Sequence, residues 1–378
     1  MRKHAQLKEY SPVTTRIRLA CTAAALVPLT VLAVACSSSG SSPGSSTSSS
    51  APTSGNTITE TGSTLLFPLF GAWQAAYNQD FPDVNIYSAG TGSGTGIADA
   101  ANGTVTIGAS DAYLSPAEMT QYHNLINIPL NVAAVMVNYN LPGVKTPLKL
   151  NGTVLAKIYA GKITNWNDKA IAALNKGVSL PNLPITTLHR ADSSGSSFLF
   201  TSYMNAQDPT DWPIASVGTT VTWPNTPKTA AETGSGGMVT GCGSIKGCIA
   251  YIGISYLSKT TAASLGAASL LNKGGGYVQP TTSAIKAALA SFSGSTPKNS
   301  AQSLINTAAA TGYPIINYEY AVVAKKQPSA AEASALKKFL TWTITKGATS
   351  DFLAPVNFQP LPANVESIAK AQIASITG

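Results

Sequence analysis

The chain has 378 residues, enough for two ordinary domains, and 44% of them are hydrophobic, which is enough to build real cores. Only 11% are charged, a globular composition with a mild surface that excludes a disordered chain. Half of the formal charge of +8 lies at the N-terminus: with Arg2, Lys3, Lys8, Arg16, Arg18 and Glu9 set aside, 19 bases face 15 acids, a net +4, and no Lys/Arg stripe marks a nucleic-acid surface.

In chain order, Arg16 and Arg18 flank a mostly apolar stretch, 19–35, which holds Pro28 and small residues and ends at Ala35-Cys36. That is the pattern of a secretory signal with a small-residue cleavage site, not of a spanning helix. The cysteine at the junction resembles a bacterial lipobox. Residues 1–35 are therefore expected to be a signal peptide and Cys36 the lipid-bearing first residue, placing the protein on the outer face of the cell membrane. Ordinary cleavage to a soluble product is the alternative. Residues 36–56 then form a Ser/Gly/Pro tether without apolar content. Twenty such residues span about 25 Å on average.

From residue 57 short β-branched runs alternate with helical patterns, which argues for an α/β fold. Strands are expected at 57–61, 84–89, 105–109 and 132–139, with a helix at 65–79 carrying Pro68 in its first turn and a second at 97–102 stopped by Gly103. Further on, the pattern predicts helices at 153–160 and 169–175, a strand at 185–188 running into His189-Arg190, a helix at 197–204 and a strand at 249–255. A strand at 315–323 and helices at 330–346 and 364–374 close the chain. Cys21 lies in the signal and Cys36 at its end, leaving Cys242 and Cys248 with five residues between them. In an oxidising compartment a local disulfide is expected. A metal site is the competing reading, but beyond residue 36 there are only His123 and His189 and no second cysteine pair.

Three segments share one design, a strand, a Gly/Ser/Thr turn and a helix: 62–65, 90–96 and 192–197. A helix N-terminus collects unpaired N–H groups and positive dipole, glycine lets the backbone approach, and hydroxyls add donors without charge. Each turn taken alone is equally well explained as a helix cap. The glycines at 90, 92, 94 and 96 miss the dinucleotide spacing and no Walker lysine follows. Asp111 and Arg190 are the charged residues beside these turns. The alternative roles are a cap for Asp111 and a surface ion pair with Asp192 for Arg190.

The stretches ETGSTLLFPLF, GTGSGTGIADAANGTVTIGASDAYLS, GKITNWND, HRADSSGSSFLFTSY and YPIINYEYAVV resemble the phosphate-binding proteins (PstS type) of bacterial high-affinity phosphate ABC transporters, the actinobacterial lipoproteins in particular. The resemblance runs from Ile58 to the C-terminus. It implies a type II periplasmic-binding-protein fold: two α/β lobes joined by two crossing segments, lobe one over 57–131 and 312–378, lobe two over 132–311, with the ligand in the cleft. It implies inorganic phosphate as ligand, permease subunits of an ABC importer as partners, and neither cofactor nor catalysis. Carried over residue by residue, the phosphate ligands are Ser63, Thr64, Leu65 (through its N–H), Ser93, Asp111, Arg190, Ser194, Gly195 and Ser196, with Asp192 holding Arg190. Ser193 and Ser196 depart from the family's usual glycine and threonine. Asp111 would accept the proton that phosphate keeps near neutral pH, and would leave sulfate facing an acceptor. Two other functions compete. One is a secreted hydrolase or phosphatase with Ser194 as nucleophile, which lacks a G-x-S-x-G elbow and has only His189 nearby, turned away by strand alternation. The other is the binding of another oxyanion such as sulfate.

Overall fold

In the computed structural model, which describes residues 57–378, the chain opens with β1 (Thr57–Gly62), α1 (Phe67–Asp80), β2 (Asn85–Gly90), α2 (Ser93–Ala101), β3 (Ile107–Ser110), α3 (Pro116–Gln121) and the long β4 (Leu125–Tyr139). There follow β5 (Lys149–Leu150), α4 (Gly152–Tyr159), α5 (Lys169–Leu174), β6 (Thr186–Arg190), α6 (Gly195–Gln207), β7 (Thr229–Glu232), α7 (Gly234–Ser244), β8 (Cys248–Gly253) and α8 (Leu257–Ala262). The chain ends with β9 (Gly266–Ala267), β10 (Ser269–Leu271), β11 (Tyr277–Val278), α9 (Thr282–Ala290), β12 (Ile316–Ala324), α10 (Ala330–Thr343), α11 (Ser350–Leu353) and α12 (Ala363–Ala374). The signal segment, Cys36 and the tether lie outside the described residues.

The main sheet runs β2-β1-β3-β12-β4-β8-β6-β7, with β9 added to β4, and a small sheet runs β11-β10-β5. Two lobes meet on one strand. From Leu125 to Ala134, β4 pairs antiparallel with β12, whose other neighbour β3 leads to the parallel strands β1 and β2. From Val135 to Tyr139 it pairs with β8, which leads to the parallel strands β6 and β7. The chain thus crosses once along β4 and returns through 313–316 into β12, where Val135 N donates to Ile315 O at 3.1 Å.

The expected strand at 132–139 is only the second half of β4. Asn127, Pro129 and Asn131 interrupt the apolar run that marks a strand, yet the sheet continues through them. The register of β4 against β12 shifts between Glu319, which faces Asn131, and Tyr320, which faces Pro129. A proline, which has no N–H for the ladder, is tolerated at such a bulge. Helix α2 begins at Ser93, inside the glycine run, and α6 begins at Gly195, both earlier than expected. The strand expected at 249–255 stops at Gly253 and the helix expected at 330–346 stops at Thr343.

Each lobe has an aromatic centre. In lobe one, Phe70 and Tyr77 of α1 meet Phe339 of α10 at ring-centroid distances of 5.9 and 5.0 Å, and Tyr77 also meets Trp342 at 5.4 Å. In lobe two, Tyr159 of α4, Phe200 of α6 and Tyr251 of β8 pack together, with Phe200 stacked on Tyr251 at 4.6 Å. Fully burying a large apolar side chain stabilises by about 1.5–3 kcal/mol, so these clusters hold the helices on the sheet. Cys242 at the end of α7 and Cys248 at the start of β8 form a disulfide with Cα atoms 5.3 Å apart. Among the described residues, no helix is long and apolar enough to cross a membrane.

Candidate phosphate site

The parallel strands β1, β2 and β6 all deliver their C-terminal ends to one cleft, where ligand sites of open α/β sheets lie. At the end of β1, Gly62 has φ +140° and an added Cβ would stand 2.0 Å from Ala109 O, so only glycine lets this turn close on β3. Ser63 follows, its N–H bonded to Ala109 O at 2.8 Å, and its hydroxyl accepts from Leu66 N at 3.0 Å while donating to Asp111 Oδ1. Leu65 is buried against Gly253, and its carbonyl takes the Ser255 hydroxyl at 2.7 Å.

Asp111, just past β3, is the centre of the arrangement. Its second oxygen, Oδ2, accepts from Ser196 Oγ at 2.8 Å, its N–H donates to Ser93 Oγ at 3.2 Å, and its carbonyl takes Asn317 Nδ2 at 2.8 Å. Ser63 and Ser93 belong to lobe one and Ser196 to lobe two, so the carboxylate is held from both sides of the cleft. Gly195 completes the contact: an added Cβ would lie 2.5 Å from Ser93 Oγ and 2.7 Å from Asp111 Cβ. Ser63, Ser93, Asp111, Ser194 and Ser196 are all buried.

Arg190 ends β6 with its side chain only 2% exposed, its N–H held by Tyr251 OH at 2.9 Å. Its Nε donates to Asp192 Oδ1 at 2.7 Å and its Nη2 to Asp192 Oδ2, the expected two-pronged pair. Burial by itself raises the Asp192 carboxyl, but the hydrogen bond and charge of Arg190, with Gly234 N–H, outweigh it and hold the group below its ordinary value. Burial, the larger influence, together with Arg190 and Ser197 among the smaller ones, leaves the Tyr251 hydroxyl pushed up to about 12. It stays protonated and can brace the arginine.

Ser194 is placed at the cleft, but its hydroxyl caps α6 by accepting from Ser197 N at 3.3 Å, and its N–H is bonded to Thr219 O at 2.8 Å. The His189 ring stacks on Trp223 with centroids 5.1 Å apart, and its Nδ1 lies 3.3 Å from Arg190 O, so these contacts engage it away from Ser194. Burial, partly offset by the Arg190 carbonyl, lowers the His189 pKa. Among the described residues, no cluster of His, Cys, Asp and Glu could hold a metal.

Sequence reasoning missed a fourth turn of the same design, after β7. Ser235, in the first turn of α7, has its hydroxyl 2.9 Å from Thr64 Oγ1 and its N–H donating to the same oxygen at 3.1 Å, while Gly234 N donates to Asp192 Oδ1 at 3.0 Å. The signal was present as Thr233-Gly-Ser-Gly-Gly after TAAE, a strand followed by a Gly/Ser turn. Glu319 on β12 was also missed.

Fold and site together define a bilobal solute-binding protein of the periplasmic type, and the PBP superfamily domain matches residues 46–346. A phosphate-binding protein PstS of Methanocaldococcus jannaschii is 33% identical over 331 residues, covering 82% of this chain and 84% of that one. The PstS protein of Pasteurella multocida is 31% identical, covering 85% and 90%. A crystal structure of a phosphate-binding protein from Stenotrophomonas maltophilia shares the fold, with a TM-score of 0.63, 21% identity and coverage of 83% and 93%. The chain belongs to the PstS family of phosphate-binding proteins, and its fold is that of type II periplasmic binding proteins.

Proposed function

We propose that this protein captures inorganic phosphate between its lobes, outside the cytoplasm, and delivers it to the permease subunits of an ABC importer. The observation that carries this reading is a buried carboxylate, Asp111, at the centre of an otherwise donor-rich cleft. A cleft built of helix N-termini, hydroxyls and one guanidinium attracts any oxyanion. An acceptor at its centre selects an oxyanion that still carries a proton, as phosphate does near neutral pH and sulfate does not. The ligands we assign are Ser63, Thr64, Leu65, Ser93, Asp111, Arg190, Ser194, Gly195 and Ser196, with Asp192 holding Arg190. The site is one of binding and not of catalysis, which the position of His189 supports. Lobe one comprises 57–131 and 312–378, and lobe two 132–311.

The test is a pair of dissociation constants, for phosphate and sulfate, in wild type and Asp111→Asn. An amide can donate to sulfate or accept from phosphate, so phosphate binding should persist. Discrimination against sulfate should fall by about tenfold or more, the worth of one buried unpaired acceptor. A ratio that stays at the wild-type value would place selectivity elsewhere.

The same reading extends to the N-terminus. Residues 1–35 serve as signal peptide, Cys36 carries the lipid anchor and 36–56 tether the lobes to the cell membrane, supported by the Ala35-Cys36 junction after an apolar run. Cys36→Ala should move the protein from the membrane fraction to the soluble one; continued membrane association refutes the anchor.

A further inference from the structure

A second carboxyl group lies beneath Asp111. Glu319 stands on β12 directly opposite Asn131 of β4, next to the register shift in the ladder. Residues directly opposed in an antiparallel pair share a face of the sheet, with Cβ atoms about 5 Å apart. Both side chains are fully buried. Neither carboxyl oxygen of Glu319, and neither amide atom of Asn131, makes a well-formed hydrogen bond within the protein. Asn317 precedes Glu319 by two residues and so shares its face, and Asn317 Nδ2 reaches the Asp111 carbonyl at 2.8 Å. Glu319 is therefore carried to the same place, with Asp111 and Ser63 as its polar neighbours.

Two adjoining buried carboxyl groups do not both ionise, because each charge raises the free energy of the other and neither has water to spread it. Asp111 is the member served by donors: Ser63 on one oxygen and Ser196 on the other. Among the described residues, Glu319 has only the Ser63 hydroxyl within reach, and that hydroxyl donates to Asp111. Burial first, and the Asp111 charge second, push its carboxyl well above the usual carboxylate range. The remaining neighbours do not reverse this. Tyr320 beside it is a buried phenol raised by its own burial, β4 offers the neutral Asn131, and Ser63 offers a hydroxyl. On the helices laid over β12, Lys286 of α9 is exposed and Asp99 of α2 is half-buried, and neither acts on Glu319.

We propose that Glu319 is the proton-holding partner of Asp111: a neutral carboxylic acid under the cleft whose O–H is directed at the Asp111 carboxylate, so that Asp111 alone carries the pair's negative charge and meets the ligand purely as an acceptor. The inference rests on the phosphate reading and deepens it, because it makes selectivity a property of two residues. Without a donor from position 319, the Asp111 carboxylate loses one of the groups that hold it in place, and the oxygen facing the ligand is no longer fixed as a pure acceptor. The geometry that turns sulfate away is then relaxed, and discrimination falls.

Two measurements test the proposal. The first is the infrared difference spectrum, wild type minus Glu319→Gln, of ligand-free protein at neutral pH in light and heavy water. A carbonyl stretch of a protonated carboxyl, shifting on deuteration, is expected; a pair of ionised-carboxylate bands in its place overturns the assignment. The second is the pair of dissociation constants in Glu319→Gln and Glu319→Leu. Glutamine supplies a donor of the same shape that never titrates, so phosphate affinity should stay within about threefold and the sulfate ratio should hold. Leucine fills the space without a donor, and the phosphate-over-sulfate ratio should fall by about tenfold or more. A leucine variant that folds and keeps the wild-type ratio overturns the proposal. A wild type that bound no phosphate would instead sink the underlying reading, while the infrared result would still decide whether Glu319 holds a proton.

Discussion

A buried carboxyl group served by few donors holds its proton to higher pH, and Glu60 shows this within lobe one. It lies on β1 only 3% exposed, accepting from the Ser88 hydroxyl of β2 with Oε1, its other oxygen, left without a partner, and burial pushes it up to about 8. In the unfolded chain it would titrate near the ordinary glutamate value of 4.5. Between those two values the folded protein holds a proton that the unfolded chain has released, so stability is greatest on the acid side and declines as pH rises through the window. The slope for one proton is about 1.4 kcal/mol per pH unit. Denaturant titrations between pH 5 and 8 should therefore show Glu60→Gln losing most of this decline relative to wild type. Parallel curves would mean that Glu60 is ionised in the folded state. Glu60 and Glu319 were both illegible as buried acids: Glu319, between Tyr318 and Tyr320, reads as the solvated face of a strand, and Glu60, between Thr59 and Thr61, reads as part of a polar run. Asp111 and Arg190 were legible as candidate ligands because each ends a strand beside a Gly/Ser turn, where the proposed anion would lie.

At the scale of elements, the parallel strands β1, β2, β3, β6 and β8 and the helices after the first three Gly/Ser turns could be read from the chain, while α3, β7, α8 and α9 were among those that could not, and two further losses have a physical cause in the structure. The first half of β4 hides behind Asn127, Pro129 and Asn131, polar or ladder-breaking residues that tertiary pairing with β12 overrides. Helix α7, GSGGMVTGCGS, contains five glycines, each disfavouring a helix interior by about 0.8–1.0 kcal/mol relative to alanine. It forms because Met238, Val239 and Cys242 are buried and its last turn is tied to β8 by the disulfide. Its glycines also permit contact: an added Cβ at Gly241 would stand 2.4 Å from the Glu232 carboxylate. Composition that argues against a helix in isolation is thus what lets this one lie against β7 and bring Ser235 to Thr64.

For the whole molecule, affinity depends on how the lobes meet as well as on what they offer the ligand. Across the cleft, Gly94 N donates to Ser193 O at 3.1 Å, Ser235 reaches Thr64, and Gly195 packs against Ser93 and Asp111. Gly94 is the most constrained of these meeting points. A Cβ there would stand 1.9 Å from Ser193 Oγ and 2.6 Å from Ser193 Cβ. Serine can swing its hydroxyl aside, but relieving its Cβ requires the lobes to separate or the turn after Arg190 to shift. Within lobe one the same substitution is benign, since alanine in the first turn of α2 favours the helix by about 0.5–1 kcal/mol over glycine. Gly94→Ala should therefore divide two properties that a general packing defect would lower together. The melting temperature without ligand should be unchanged or slightly raised, while phosphate affinity falls by about tenfold or more, the equivalent of about 1.4 kcal/mol against closure. The added stability conferred by saturating phosphate should shrink by the same free energy, because ligand binding stabilises only in proportion to its affinity for the closed form. Wild-type affinity in Gly94→Ala would show that the ligand-bound state does not bring α2 against the Ser193 turn.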